Sequence, residues 1–239
     1  MTVALDALST VANSTGNITI SHAGHATDVK AVIILVAQAG EVVGDGVGTV
    51  TYGGVTCTEV SGSPVMRGAA EKGGAHAFFL GAGIPQGTQD AVINDSGNSE
   101  NKKAGVITLT GVADTEIVDS DGTINSGSVA NPSVTLSLAS RTSFCCLVAE
   151  SGVDAVTGTT PLASWTSRVE IDWGPQVGLM YTYDTIGTSD VTAGFTQAAD
   201  DATMVALAVS EVLAATKVAR FISIGGGQSM QTYGIGRRG

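Results

Sequence analysis

The sequence predicts an all-β protein: an antiparallel β-sandwich of the jelly-roll kind, followed by an extended C-terminal arm. Three observations predict it. Apolar and polar residues alternate with period 2 in segment after segment, the signature of strands with one buried face. The 32 glycines against 5 prolines fit many tight turns and little rigid linker. No segment carries the 3.6-residue periodicity of an amphipathic helix, so helix is expected in less than about a tenth of the chain, against a usual third. A hydrophobic content of 43% with only 14% charged residues supports a sizeable core and excludes general disorder.

The pattern is organised around Val50-Thr51-Tyr52-Gly53-Gly54-Val55-Thr56. Val50 and Tyr52 alternate with threonines, and the glycine pair supplies a two-residue hairpin turn. Upstream, Val3–Leu8 reads as an edge strand and Asn17–Ser21 as a clean alternating strand. Lys30–Val36 is a continuous β-branched run, expected to be buried on both faces or to lie at the centre of a sandwich. Gly40–Gly48 and Ser61–Gly74 read as glycine-punctuated loops. Ala75–Leu80, Thr88–Ile93 and Gly105–Thr110 are strands, with a charged loop over Asn94–Lys103.

Asp114–Pro132 reads as a long acidic loop. Ser133–Leu138 and Phe144–Ala149 are strands, and Gly152–Pro161 is a Thr/Gly loop. Ser164–Ile171, Gly178–Tyr183 and Val191–Phe195 follow as strands. Ala202–Leu213 closes the domain as a strand, its valines and leucines continuing the β pattern. No internal repeat is read. The expected organisation is a segment or edge strand over 1–16, one sandwich over 17–213 and an arm over 214–239. Val32, Ile34, Val36, Tyr52, Phe78, Leu80, Leu109, Phe144, Leu147, Val205 and Leu207 are the expected core.

Charge divides the chain. The formal net charge is −11, but Lys217–Gly239 holds four basic residues and no acidic one. The body ahead of it therefore carries −15 and the terminal segment +4. An acidic body repels phosphate backbones, which argues against nucleic acid as a partner. Charge alone is a weak clamp, because exposed pairs contribute about 0–1 kcal/mol each. The arm also offers apolar anchors. Its expected subunit contacts are Lys217, Arg220, Phe221, Ile222, Ile224, Met230, Tyr233, Ile235, Arg237 and Arg238.

Sites of chemistry are few. Three histidines and no G-x-S-x-G elbow argue against a hydrolase, and no catalytic residue is assigned. His22, His25 and Asp28 lack the spacing of a zinc site and read as a turn with exposed histidines. Asp114, Glu116, Asp119 and Asp121 depart from the EF-hand pattern and read as a solvated loop, so no metal or cofactor is expected. Cys145 and Cys146 should point to opposite faces of a strand, and with Cys57 they read as small buried hydrophobes, suited to a reducing compartment. Trp165 and Trp173 read first as core or interface residues and second as a sugar-stacking surface. Met1–Asp6 lacks the basic and apolar regions of a signal peptide. No apolar run reaches the roughly 20 residues of a bilayer span, so the chain reads as soluble, with no membrane partner.

The order of motifs resembles a β-sandwich module of bacterial and phage proteins. In that module a V-T-Y-G-G-x-x-L-T hairpin precedes an aromatic Y-L-x-x-P-x-G-T strand and an F-x-G-V strand. Here the counterparts are Val50–Thr58, Phe79–Thr88 and Leu109–Val112, with Cys57 near the family's Leu and Phe79 in place of its Tyr. The resemblance covers most of residues 17–213 and implies a scaffold without fixed chemistry. With the charged arm, it implies a structural virion protein of a tailed bacteriophage, assembled in the host cytoplasm. The expected role is a capsid decoration (cement) protein that binds neighbouring capsid or tail subunits and forms a homo-oligomer. The alternative is a glycan-binding module of a phage tail or adhesin, using Trp165, Trp173 and the 114–132 segment. A glycoside hydrolase or accessory domain is the third reading.

Overall fold

The computed structural model describes residues 3–10, 15–39, 45–67, 73–97, 101–111, 115–152, 160–173 and 176–211. Eighteen strands and no helix are found among them. Every strand pair is antiparallel, and the strands form four sheets. The all-β sandwich expected from the alternation is present, but its layer number is not.

The N-terminal half makes two sheets. The inner one runs β1 (Ala4–Thr10), β10 (Lys102–Thr110), β3 (Ala31–Ala39), β8 (Gly73–Leu80) and β6 (Thr58–Glu59), with β7 (Val65–Met66) also on β8. The outer one runs β2 (Ile18–Ala23), β9 (Thr88–Asp95), β4 (Val47–Tyr52) and β5 (Val55–Thr56). The C-terminal half repeats the plan. Its inner sheet runs β11 (Thr115–Val129), β18 (Asp200–Glu211), β13 (Ser143–Ser151), β16 (Val177–Gly187) and β15 (Trp165–Asp172). Its outer sheet runs β12 (Ser133–Leu136), β17 (Val191–Thr196) and β14 (Thr160–Pro161).

Three apolar cores separate these four layers. One lies between the N-terminal sheets, joining Ile18, Ile20, Val50 and Tyr52 to Val32, Ile34 and Phe78. One lies between the C-terminal sheets, joining Leu136 and Phe195 to Leu147, Tyr181 and Ala206. The third is a seam between the two inner sheets, where Ile33, Leu35, Ile107 and Leu109 meet Phe144, Val148, Met180, Val205 and Leu207. The chain is therefore two sandwiches back to back, not the single two-sheet sandwich expected from the sequence. The burial patterns give the physical reason. All nine residues of β3 and of β13 are buried, because each inner strand is covered on both faces. Outer β2 and β12 alternate between buried and not, because one face meets solvent.

The halves share a strand order. Replacing β1, β2, β3, β4, β6, β8, β9 and β10 by β11, β12, β13, β14, β15, β16, β17 and β18 converts one into the other. This repeat of strand order is one of topology, present although no repeat is read in the sequence. Across the seam β3 lies on β13 and β16, while β8 lies on β13 and β18. The reciprocal β3–β16 and β8–β13 contacts are the arrangement of an isologous, two-fold interface, here within one chain.

Local chemistry accounts for the elements. Gly53 and Gly54 both take positive φ, 54° and 80°, as a primed two-residue turn requires. The turn pairs Tyr52 with Val55, and the chain then crosses from the outer to the inner sheet at Cys57. The eleven expected core residues are all buried. Asp114–Pro132, read as a loop from its Asp, Asn, Ser and Gly content, is instead largely β11, an edge strand paired along apolar β18. Register shifts between Ile117 and Asp119 and between Asn125 and Val129, with the charges, guard that edge. Short strands β7 and β14 fall in the segments read as loops over 61–74 and 152–161.

Phe144 sits in the seam at 2% exposure. Phe144→Ala should cost about 3–5 kcal/mol in a denaturant melt. Because both halves share the seam, circular dichroism and tryptophan fluorescence should report one coincident transition. Separate transitions for the two probes would show that the halves fold independently.

Candidate functional site

A polar cluster closes one end of the N-terminal sandwich. It starts from β8, whose even-numbered residues face the outer sheet. His76 is fully buried there, beneath the loop that enters β4 and beside β6. Its Nε2 lies 3.7 Å from Asp45 Oδ1, and its Nδ1 lies 3.4 Å from Glu59 Oε1. Both carboxylates reach solvent, with side chains 41% and 32% exposed. Asp45 is held in place by its surroundings: its Oδ1 accepts the Val47 amide at 2.7 Å, and Gly46 N–H donates to Gln38 Oε1 at 2.8 Å. Lys102 Nζ donates to Gly46 O at 3.0 Å and to Asp95 at 2.5 Å. Lys102 is itself fully buried in β10, not in the charged loop expected over 94–103.

On the other side, Ser63 Oγ donates to Glu59 Oε1 at 2.8 Å and accepts the Ala77 amide at 3.0 Å. Burial raises the Glu59 carboxyl, but contact with His76 and the Ser63 hydroxyl outweigh it and hold the carboxyl below its ordinary value. Ser63 also stands on an open cleft of about 640 Å³ between the halves, lined by Gly62–Met66, Gly122 and Thr123. There the halves touch backbone to backbone. A Cβ on Gly122 would overlap the Gly62 carbonyl, so β11 needs glycine at that point. Ser120 Oγ donates to Ser61 O at 2.9 Å beside it.

A second polar group lies within the seam. Arg67 of the N-terminal half pairs with Glu150 of β13, and Thr203 Oγ1 donates to Glu150 Oε2 at 3.4 Å. Burial of Glu150 outweighs the Arg67 charge and pushes its carboxyl up to about 8. A buried pair of this kind contributes little net stability, yet it costs about 3–5 kcal/mol when one partner is removed.

The residues singled out from the sequence scatter. His22 is buried, not exposed as expected for a turn. Its Nε2 lies 3.0 Å from Thr108 Oγ1, and Thr108 in turn donates to Asp6 at 2.9 Å. Burial lowers the His22 pKa against the pull of Asp6. His25 is exposed, and Asp28 pairs with Lys30 at 3.0 Å, so the three do not assemble. The acidic residues of β11 also diverge: Glu116 pairs with Arg141, Asp119 accepts the Ser137 amide, and Asp121 accepts the Gly122 amide. Asp114 lies outside the described residues. Among the described residues no group of three His, Cys, Asp or Glu is placed to hold a metal ion.

Trp165 is 6% exposed, packs edge-on against Tyr183 and donates its indole N–H to Thr192 O at 3.0 Å. It is therefore a core residue, not a stacking platform. Trp173 packs half-buried against the seam. All ten arm residues, Lys217 to Arg238, lie outside the described residues. His76 was missed as a site residue. Its one sequence signal was a histidine within the apolar strand run 75–80, which says nothing of the carboxylates brought from 17 and 31 residues away.

The three thiols occupy three different cores: Cys57 in the N-terminal one, Cys145 in the C-terminal one and Cys146 in the seam. All are free. The opposite facing of Cys145 and Cys146 is as read from the strand pattern. No protein-family model matches the chain, and no curated protein matches it.

Two outcomes follow from these environments. Burial pushes Cys57 and Cys145 up to about 12, and Cys146 well above the ordinary thiol value. A disulfide reagent at pH 8 should leave all three unmodified in the native chain and titrate three thiols after denaturation. Glu150 binds its proton more tightly when folded than the ordinary carboxyl value of 4.5. Stability through this group is therefore present in mild acid and lost as pH rises from about 4.5 to about 8. Glu150→Gln should flatten that slope in melts between these values, and an unchanged slope would assign it to other groups.

Proposed function

We propose that this chain is a structural virion protein of a tailed bacteriophage, a capsid decoration (cement) protein that binds neighbouring subunits, and not an enzyme. The observation that carries the reading is the use made of its distinctive side chains. His22, Lys102, Trp165 and the three thiols are all spent on packing inside a four-layer slab of sheet. A slab of that kind resists deformation, because close-packed layers transmit strain instead of absorbing it. The resemblance of the Val50–Thr58 hairpin to phage-borne sandwich modules supports the same reading. So does the contrast between a body of −15 and a terminal segment of +4.

In this proposal Lys217–Gly239 is the assembly arm. Phe221, Ile222, Ile224, Met230, Tyr233 and Ile235 anchor in a neighbouring subunit, and Arg237 and Arg238 reach its carboxylates. The apolar anchors are needed because fixing such a backbone costs about 1–2 kcal/mol per residue. The partners are other virion proteins and further copies of the chain. The burial of Trp165 removes one of two stacking residues from the alternative of glycan binding.

A chain ending at Leu213 tests this. It should melt within a few degrees of the full chain, yet lose self-association in sedimentation and lose binding to particles that lack the protein. Equal association and binding by the shortened chain would overturn the assembly role of the arm. Saturable quenching of tryptophan fluorescence by a sugar would favour the glycan reading instead.

A further inference from the structure

We propose that Asp45, His76 and Glu59 form a proton-operated clasp that sets the position of the segment 61–66 on the cleft between the two halves. The geometry is that of one ring held between two acceptors. His76 is fully buried, neither ring nitrogen makes a hydrogen bond within its reach, and each faces a different carboxylate at 3.4 or 3.7 Å. The carboxylates lie on opposite sides of the ring, so they cannot converge on one metal ion. They can both be served only by an imidazolium, which has two N–H donors. With one proton fewer, a nitrogen lone pair faces a carboxylate at contact distance, and that arm of the clasp is repelled.

The surroundings decide which arm moves. On the Asp45 side the loop is tied by the Val47 amide to Asp45, by Gly46 N–H to Gln38 of β3, and by Lys102 of β10 to Gly46 and to Asp95 of β9. On the ring's own strand, Phe78 stacks at 6.5 Å and carries no charge. Glu59 stands on a two-residue strand at the sheet edge; its backbone pairs with Phe78 of β8, but its carboxylate accepts from the Ser63 hydroxyl on the adjoining turn. The Glu59 arm is therefore the one that yields. Ser63 then loses its acceptor, and the Ala77 amide loses the bond that Ser63 Oγ accepts. Ser63 and its neighbours line the cleft, so the proton on a buried ring is felt at the surface where the halves meet.

The test uses the full chain. His76 is followed by the chemical shifts of its carbon-bound ring protons across pH 5–9, roughly the range in which histidines titrate. Amide exchange at Ala77, corrected for the intrinsic pH dependence, is measured on the same samples. Protection at Ala77 should fall at least about tenfold as His76 loses its proton, and His76→Gln should abolish the pH dependence. Should His76→Gln not fold, Glu59→Gln should give the same flat profile, since it removes the repelled charge. Constant protection while the ring titrates would overturn the clasp. So would a ring that does not titrate, or a pH dependence that survives in the variants.

Discussion

The rest of the structure depends on an apolar seam that must be covered from both sides. β3, β10 and β8 present Ile33, Leu35, Ile107, Leu109 and Ala77 on the face away from their own sandwich partner. A two-sheet sandwich would leave that face in water. Contiguous apolar surface of that extent is not tolerated on a solvent-facing sheet, and the C-terminal inner sheet supplies the cover. The same holds in reverse for Phe144, Val148, Val205 and Leu207. Each half is thus the other's missing layer, and the repeated strand order follows as a natural way to build two matching faces.

Placing polar groups in such a stack has consequences. Arg67 and Glu150 meet at one end of the seam, one from each half. Neither would be tolerated there without the other, so the pair disfavours alternative packings of the sheets more than it adds stability. Lys102 with Asp95 and Gly46 does the same at the end of the N-terminal sandwich. His76 differs from these, because its nitrogens face charges without a settled hydrogen bond. Its Nδ1 lies 3.4 Å from Glu59, which accepts a hydrogen bond from Ser63 on the cleft where the halves touch.

A scaffold reading is consistent with this economy. Side chains that would be reactive elsewhere are inert here for physical reasons. Burial disfavours thiolates. The His22 ring is committed to Thr108 and, through it, to Asp6. The indole of Trp165 is turned inward and bonded to Thr192. Across the chain, 22 acidic side chains outnumber 11 basic ones.

Much of the fold was legible in the sequence. Alternation located nearly every strand, the Gly53-Gly54 pair located the hairpin, and adjacent Cys145 and Cys146 were placed on opposite faces correctly. The continuous run at 30–36 announced a strand buried on both faces or central to a sandwich, and 144–149 announced a buried strand. The number of layers was not legible, because a run shows that both faces are covered and not by what. Even the likeness of Leu35-Val36-Ala37-Gln38 to Leu147-Val148-Ala149-Glu150 misleads, since Leu35 faces the seam and Leu147 the outer core. β11 was hidden because its partner, β18, supplies the apolar character that its own acidic sequence lacks. The cluster was hidden because Asp45 precedes β4 of the outer sheet while Glu59 and His76 sit on paired strands of the inner one, far apart in sequence. Local sequence by itself determined which residues alternate, turn and resist water; long-range strand pairing alone decided which sheet covers each face, because a side chain's direction is set by its strand and its neighbour by the whole chain.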